Sequence, residues 1–546
     1  MKPDLDRFDS RRSTVYAPRG VVATSQPLAA AAGADILRDG GNAFDAAVAT
    51  AATLNVVEPT STGLGGDVFA CYRTADGEVG AMRAAGHAPE RATRDRVREA
   101  VRGGSESATY GSDRDREGVT MPDHGPHTVT VPGTARGWEA TLDRFGRCSL
   151  ETVLDPAIGY AREGYPVTEV VSAQWQHAEA LFDHDHAREA FLFDGESPGV
   201  GQTVRLPRLA DSLELIAERG ADTVYEGEIA EAIAGEVQER GGFMTVDDLA
   251  AFEVEWPDPL STTYGGCEVF ELGPNNQGQI ALEALNIASE LGAGEQPYNS
   301  ADRVHAFTEA MKLAFHDGHY HVTDPEYETV PPLQDPGYAR ERAAEVGREP
   351  LSDVQVGTPG ATGEDADTVL LCVADEAGNV VSYINSRFAG FGSGLVAGET
   401  GIALQNRGAS FSLSDEHPNR LEPGKRPFHT LVPALARLGE DDWLAFGVMG
   451  GYMQPQGHVQ VLANLLDYDM GLQAALDAPR WRYRADGSLA VEERLPDGIA
   501  PKLARRGHDV RVLPPSLFGG AEAVRWEDGT LSGATEPRKD GQVSGL

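Results

Sequence analysis

The segment Gln355–Asp367, QVGTPGATGEDAD, offers neither helical periodicity nor apolar alternation, and its glycines, proline and acids suit an exposed linker. It ends abruptly. The next residue, Thr368, opens TVLLCVAD, an apolar run with strong strand character. After it the chain reads as strands separated by glycine-rich turns: Glu376-Ala-Gly-Asn379, Phe388-Ala-Gly-Phe-Gly-Ser-Gly394, Gly398-Glu-Thr-Gly401 and Gly447-Val-Met-Gly-Gly451. Such turns let backbone N–H groups come close to a ligand, which is what stabilising a developing oxyanion requires.

Before the linker, helical patterns dominate. Ser25-Gln-Pro27 reads as a capped helix start and Gly40-Gly41 as its stop; Asn42 opens a second helix reaching Val57. Gly63-Leu-Gly-Gly66 is a tight turn into the strand VFACYR. Residues 94–127 are polar and read as a mobile excursion or helical flap. GEIAEAIAGEVQERGG, DDLAAF and residues 301–318 read as helices, and residues 265–272 as a strand.

Composition narrows the partners. Asp and Glu number 85 against 46 Lys and Arg, a net charge of −39, which repels phosphate backbones and anionic membranes. Neither a nucleic acid nor a membrane is therefore expected as a partner. Only five of the basic residues are lysine (Lys2, Lys312, Lys425, Lys502, Lys539), and acidity with scarce lysine suits a halophilic host, where salt screens repulsion. A hydrophobic fraction of 41% is enough for a large core. The N-terminus shows no signal-type apolar stretch, so a cytoplasmic location is expected. Four dispersed cysteines form no CxxC or Cys/His pattern. His184 and His186, without further ligands of matching spacing, read as a solvated helix end, and no metal or cofactor is expected.

The ordered set of motifs resembles the γ-glutamyltranspeptidase family of N-terminal-nucleophile hydrolases. It includes Asp35-Ile-Leu-Arg-Asp-Gly-Gly-Asn-Ala-Phe-Asp-Ala-Ala47, Gly63-Leu-Gly-Gly-Asp-Val-Phe69 and Val131-Pro-Gly-Thr134. Glu309-Ala-Met-Lys-Leu-Ala-Phe315, Asp367-Thr-Val-Leu-Leu-Cys-Val-Ala-Asp375 and Gly533-Ala-Thr-Glu-Pro-Arg538 extend it along nearly the whole chain. The resemblance implies an α+β fold, the four-layer αββα sandwich, and a precursor that cleaves itself at Asp367–Thr368. Residues 1–367 would then form a helix-rich large fragment and residues 368–546 a strand-rich catalytic one. Thr368 would be the nucleophile, its freed α-amine (reference pKa about 7.7–8.0) the base. The family's paired oxyanion-hole glycines fall at Gly450 and Gly451, and its hydroxyl residue supporting the nucleophile at Ser386. The acyl donor would be a γ-glutamyl compound or another small amide, the acceptor water or an amine.

The family's grip on the γ-glutamyl group is not preserved. Its carboxylate-binding arginine falls at Ala85, with Arg83 two residues out of register; its Gln/Asp pair for the α-amine falls at Arg407 and Ser410. Its adjacent serines fall at His429 and Thr430, and its pocket asparagine at Phe388. His87, Arg407, Ser410, His429 and Thr430 are thus the candidate substrate contacts, and His458 a candidate lining residue. Gaining Arg407 disfavours an ammonium group and favours an anionic or neutral acyl group. Three functions follow: γ-glutamyl transfer or glutathione hydrolysis; hydrolysis of another acyl amide, of the oxamate or dicarboxylic half-amide type; or an unprocessed metabolite-binding fold without catalysis. Intact-mass measurement and N-terminal sequencing discriminate the last from the others. The expected outcome is two species, one beginning at Thr368, and a single uncut, inactive chain in Thr368→Ala.

Overall fold

The computed structural model describes residues 12–102, 119–352, 354 and 368–546. The linker reading of 355–367 and the central part of the polar excursion lie outside them. The excursion's described ends hold a helix, Arg94–Val101, and a short 3-10 turn, Pro126–Thr128.

Two antiparallel sheets form the centre. The first orders its strands Gln542–Gly545, Gly20–Thr24, Val369–Asp375, Val380–Ser386, Asp67–Arg73, Val79–Ala84. The second runs Val15–Ala17, Thr530–Ala534, Gly520–Glu527, Asp442–Met449, Ala434–Gly439, Cys267–Glu271, Leu260–Tyr264. Leu370, Cys372, Phe69 and Ile384 of the first sheet meet Leu435, Ala445 and Val524 of the second in the inter-sheet core. Helices cover both outer faces, so the layers are αββα. The expected fold is the observed one, and it accounts for the sequence pattern. A strand covered on both sides has no solvent face, and every residue of Val369–Asp375 is buried.

Both sheets draw strands from both sides of residue 368. Within the first, Val369–Asp375 lies between Gly20–Thr24 and Val380–Ser386, which in turn pairs with Asp67–Arg73. Ser382 stitches the sheets together: its hydroxyl donates to the Phe446 carbonyl at 2.9 Å and accepts the Ala434 N–H at 3.3 Å.

The helix Ala43–Val57 is buried along its whole length beneath the first sheet, which explains why its sequence is apolar all round. Its start is built by Asn42 and Asp45, each side chain accepting the other's backbone N–H. Asp45 also accepts the N–H groups of Arg147 (2.9 Å) and Cys148 (3.0 Å), tying the helix to the turn after Thr134–Phe145. The preceding helix, Pro27–Arg38, is capped by the Gln26 side chain.

One expectation is corrected. His184 is buried, with Nε2 2.9 Å from the Gly394 carbonyl, and His186 pairs with Glu236 at 2.9 Å. His184 joins the segment before the linker to the loop after it; the pair does sit at a helix start, Asp185–Phe191, but His184 is not solvated there.

Asp45→Ala removes the acceptor for three buried or half-buried N–H groups at about 1 kcal/mol each. A loss of about 3 kcal/mol is expected, read as a lowered denaturation midpoint in the Thr368→Ala chain.

Candidate active site

The register of the first sheet assembles the site. Ser386 pairs with Asp67 across one ladder, and Val369 with Asn385 across the next, so Thr368 falls opposite Ser386. Thr368, Ser386 and Asp67 therefore form a row across three neighbouring strands. Alternation of side chains sends that row to the same face as Leu370, Ile384 and Phe69, between the sheets. Thr368 is 2% exposed, and its Oγ1 lies 3.5 Å from Ser386 Oγ, which accepts the Phe388 N–H at 2.9 Å.

The turn before Asp67 requires its glycines. A Cβ on Gly66 would lie 2.4 Å from the Ser386 carbonyl oxygen, and one on Gly65 2.3 Å from that of Ala403. Close backbone approach here is what brings the strand beginning at Asp67 against the nucleophile's neighbour.

From the second sheet, the strand Asp442–Met449 runs straight into Gly450 and Gly451, at φ +116° and +55°. The φ of Gly450 suits glycine alone, and that of Gly451 lies in the left-handed region glycine favours. The pair precedes the helix Met453–Leu466, whose N-terminal dipole favours negative charge at this point. Gln277 holds the turn in place, donating from Nε2 to the carbonyls of Gly451 (2.9 Å) and Thr430 (2.6 Å).

Asp67 is the hub of the polar group. Its Oδ1 accepts from Gln405 Nε2 at 2.9 Å, and its Oδ2 lies 3.0 Å from His429 Nε2. His429 Nδ1 accepts the Leu431 N–H at 3.1 Å, so the imidazole proton sits on Nε2 and is donated to Asp67. Burial raises the Asp67 carboxyl to about 7 against the opposing pull of Arg407, Gln405 and the Gly133 N–H. Burial, then the nearby Arg407 and Arg83, pushes His429 well below its ordinary range and keeps it neutral.

Arg407 completes the pocket. It starts a 3-10 turn, Arg407–Ser410, is fully buried, and stacks over the Phe388 ring at 4.2 Å. Phe388 itself takes φ +80°, a costly conformation for a bulky residue that places its ring against the guanidinium. Arg407 Nη1 donates to Thr430 Oγ1 at 2.8 Å. Its closest carboxylate oxygen is Asp67 Oδ2, 3.9 Å from Nε. Among the described residues, Arg407 Nε and Nη2 and the hydroxyls of Ser410 and Tyr452 are buried without a hydrogen-bond partner. Burial lowers Arg407 to about 10, so it stays charged at neutral pH.

The structure thus brings together Thr368, Ser386, Gly450 and Gly451 with Arg407, Ser410, His429 and Thr430. His87 stands apart. The charged groups acting on its ring are Arg426, Asp248, Asp324 and Glu90, and its carbonyl accepts the Val131 N–H at 3.1 Å. His458 is engaged elsewhere, 2.7 Å from Glu271 and accepting the Val448 N–H. Arg83 is spent on Glu255, Asn276 and the carbonyls of Gly273 and Pro274. Asp67, Gln277, Gln405 and Tyr452 were not singled out from the sequence. Of these, Asp67 alone carried a local signal, an acid ending a glycine turn and opening an apolar strand. Asp367 lies outside the described residues.

The gamma-glutamyltranspeptidase family model matches residues 29–546. The chain is 38% identical over 552 residues to the glutathione hydrolase-like YwrD proenzyme of Bacillus subtilis, covering 98% of this chain and 99% of that one. It is 34% identical over 548 residues to the oxamate amidohydrolase proenzyme of Klebsiella pneumoniae, with 98% and 99% covered. Its structure superposes on the crystal structure of cephalosporin acylase from Bacillus halodurans with a TM-score of 0.87 at 42% identity, covering 100% and 99% of the two chains. The match spans the sheet row, the glycine pair and the polar pocket alike, and the chain belongs to the gamma-glutamyltranspeptidase family of hydrolases and acylases.

Proposed function

We propose that the protein is a self-processing amide hydrolase in which Thr368 takes up an acyl group bearing a terminal carboxylate. The observation that supports the carboxylate is Arg407, a buried cation with two unpaired N–H groups beside unpaired Ser410 and Tyr452 hydroxyls. An uncompensated buried charge is costly, and a bound carboxylate supplies the missing acceptors.

Processing at Asp367–Thr368 would free the Thr368 amine, which then takes the hydroxyl proton as Oγ1 attacks the amide carbonyl. Ser386 orients the hydroxyl, and Gly450 and Gly451 at the helix start stabilise the oxyanion. The amine product leaves, and water or an amine acceptor removes the acyl group from the ester. In this reading the large fragment, 1–367, and the small one, 368–546, stay associated. Short dicarboxylic half-amides, oxamate among them, fit the cationic pocket, and His429, Thr430 and Ser410 line it; His87 has no part.

A second reading, γ-glutamyl transfer or glutathione hydrolysis, is favoured by the B. subtilis relative. A γ-glutamyl group carries an α-ammonium as well as a carboxylate. Asp67, the acid beside Arg407, already accepts from Gln405 and His429, which leaves that ammonium poorly matched.

The expected order of turnover is glutaryl-p-nitroanilide above butyryl-p-nitroanilide and γ-glutamyl-p-nitroanilide, by about tenfold or more. Arg407→Met should lower kcat/KM for the glutaryl compound about 100-fold, or ~2.7 kcal/mol, while changing the butyryl compound by less than about threefold. Turnover of the butyryl compound as fast as the glutaryl one would sink the carboxylate reading, and faster turnover of the γ-glutamyl compound would favour the second reading; either leaves the nucleophile assignment standing.

No described helix is long and apolar enough to cross a membrane. For the −39 charge we propose a salt-rich cytoplasm as the working environment. Activity that rises with KCl and falls on dilution to low salt is the expected behaviour.

A further inference from the structure

The helix Ala301–His321 carries His305 and Glu309 one turn apart on one face, packed in the helical layer outside the second sheet. His508 reaches the same place from the other side of the linker, between the helix Ile499–Arg506 and the strand Val510–Leu513. All three are buried, and one ligand atom from each lies within 4.8 Å of the others.

The arrangement of their second atoms selects which atoms face inward. His305 Nε2 is 3.1 Å from the Gly347 carbonyl, which draws the ring proton there and leaves a lone pair on Nδ1. That Nδ1 is 2.9 Å from His508 Nε2 and 4.0 Å from Glu309 Oε1. Glu309 Oε2 accepts the Leu351 N–H at 2.8 Å, leaving Oε1 toward the histidines. Ligands held through their outer atoms by backbone groups are the usual support of a metal centre. Two imidazoles and a carboxylate are a zinc-type donor set.

We propose that His305 Nδ1, His508 Nε2 and Glu309 Oε1 form a zinc site that joins the segment before Thr368 to the segment after it. On binding, His508 changes tautomer: its proton leaves Nε2, where it was shared with His305 Nδ1, and one is taken up on Nδ1, so both rings stay neutral with no net proton released. The ring nitrogens separate from 2.9 Å to about 3.3 Å, the spacing of two tetrahedral ligands. One group competes. The Lys312 ammonium lies 2.7 Å from Glu309 Oε1 and must give way, and the Tyr483 ring, 5.4 Å from Nζ, offers it a cation–π alternative. Arg506 also faces the site but is paired with Asp302. Through Gly347 and Leu351 the site also holds the chain just ahead of the linker.

Zinc is titrated into the full-length protein by calorimetry, with bound metal counted by mass spectrometry after gel filtration. One zinc per chain is expected, with a raised melting temperature. His508→Ala and Glu309→Gln should each weaken binding at least tenfold, with folding checked by circular dichroism. Lys312→Met should bind zinc more tightly than the parent, a gain that misfolding cannot produce. Equal zinc affinity in the parent and His508→Ala, or no retained zinc in the parent and Lys312→Met, would overturn the proposal.

Discussion

The site depends on one buried carboxylate. Asp67 has no solvent, yet its two oxygens are shared among Gln405, His429 and, at longer range, Arg407. These partners come from residues 405–429, while Asp67 belongs to a strand hundreds of residues earlier. The acid therefore pins the glycine-rich loops of the later segment onto the sheet edge where Thr368 begins its strand. Burial raises its proton affinity toward neutrality, so it is only a partial counter-charge to Arg407. That incomplete compensation leaves two guanidinium N–H groups unpaired.

Much of the scaffold was legible because its causes are local. The Asn42–Asp45 cap, the Gly63–Gly66 turn and the unbroken apolar strand after Thr368 each follow from a few adjacent residues. The αββα layering was reached through the ordered family motifs, which also carry the roles proposed for Thr368, Ser386, Gly450 and Gly451. The pocket was legible only in part. Arg407, Ser410, His429 and Thr430 were recognised as departures from the family pattern, but their geometry depends on Asp67, Gln277 and Gln405, distant residues whose amides and carboxylate look ordinary in sequence. The surroundings of His87 were hidden for the same reason. Its neighbourhood in the chain suggested the pocket, whereas the Gly86–Val131 and His87–Val131 backbone pairings carry it toward Arg426 and Asp324.

Sheets and loops are constrained differently in this architecture. The row of Thr368, Ser386 and Asp67 is set by strand register, which cannot slip by one residue without turning Leu370 and Ile384 out of the inter-sheet core. The turn Arg407–Ser410 and the stretch His429–Thr430 carry no such constraint. One edge fixed by register can therefore be combined with different loops, consistent with relatives named as glutathione hydrolase-like, oxamate amidohydrolase and acylase.

The interleaving of strands has a consequence for assembly. Because Val369–Asp375 sits between Gly20–Thr24 and Val380–Ser386, no surface divides the residues before 368 from those after it. Two polypeptides made by cutting at that point would share three of the five ladders of the first sheet, and separating them would mean dismantling both cores. Pairing the pieces from free solution would replace an intramolecular search with a concentration-dependent encounter. The cut form is then a trapped product of the uncut one: it persists by the height of its unfolding barrier and, once opened, has no short route home.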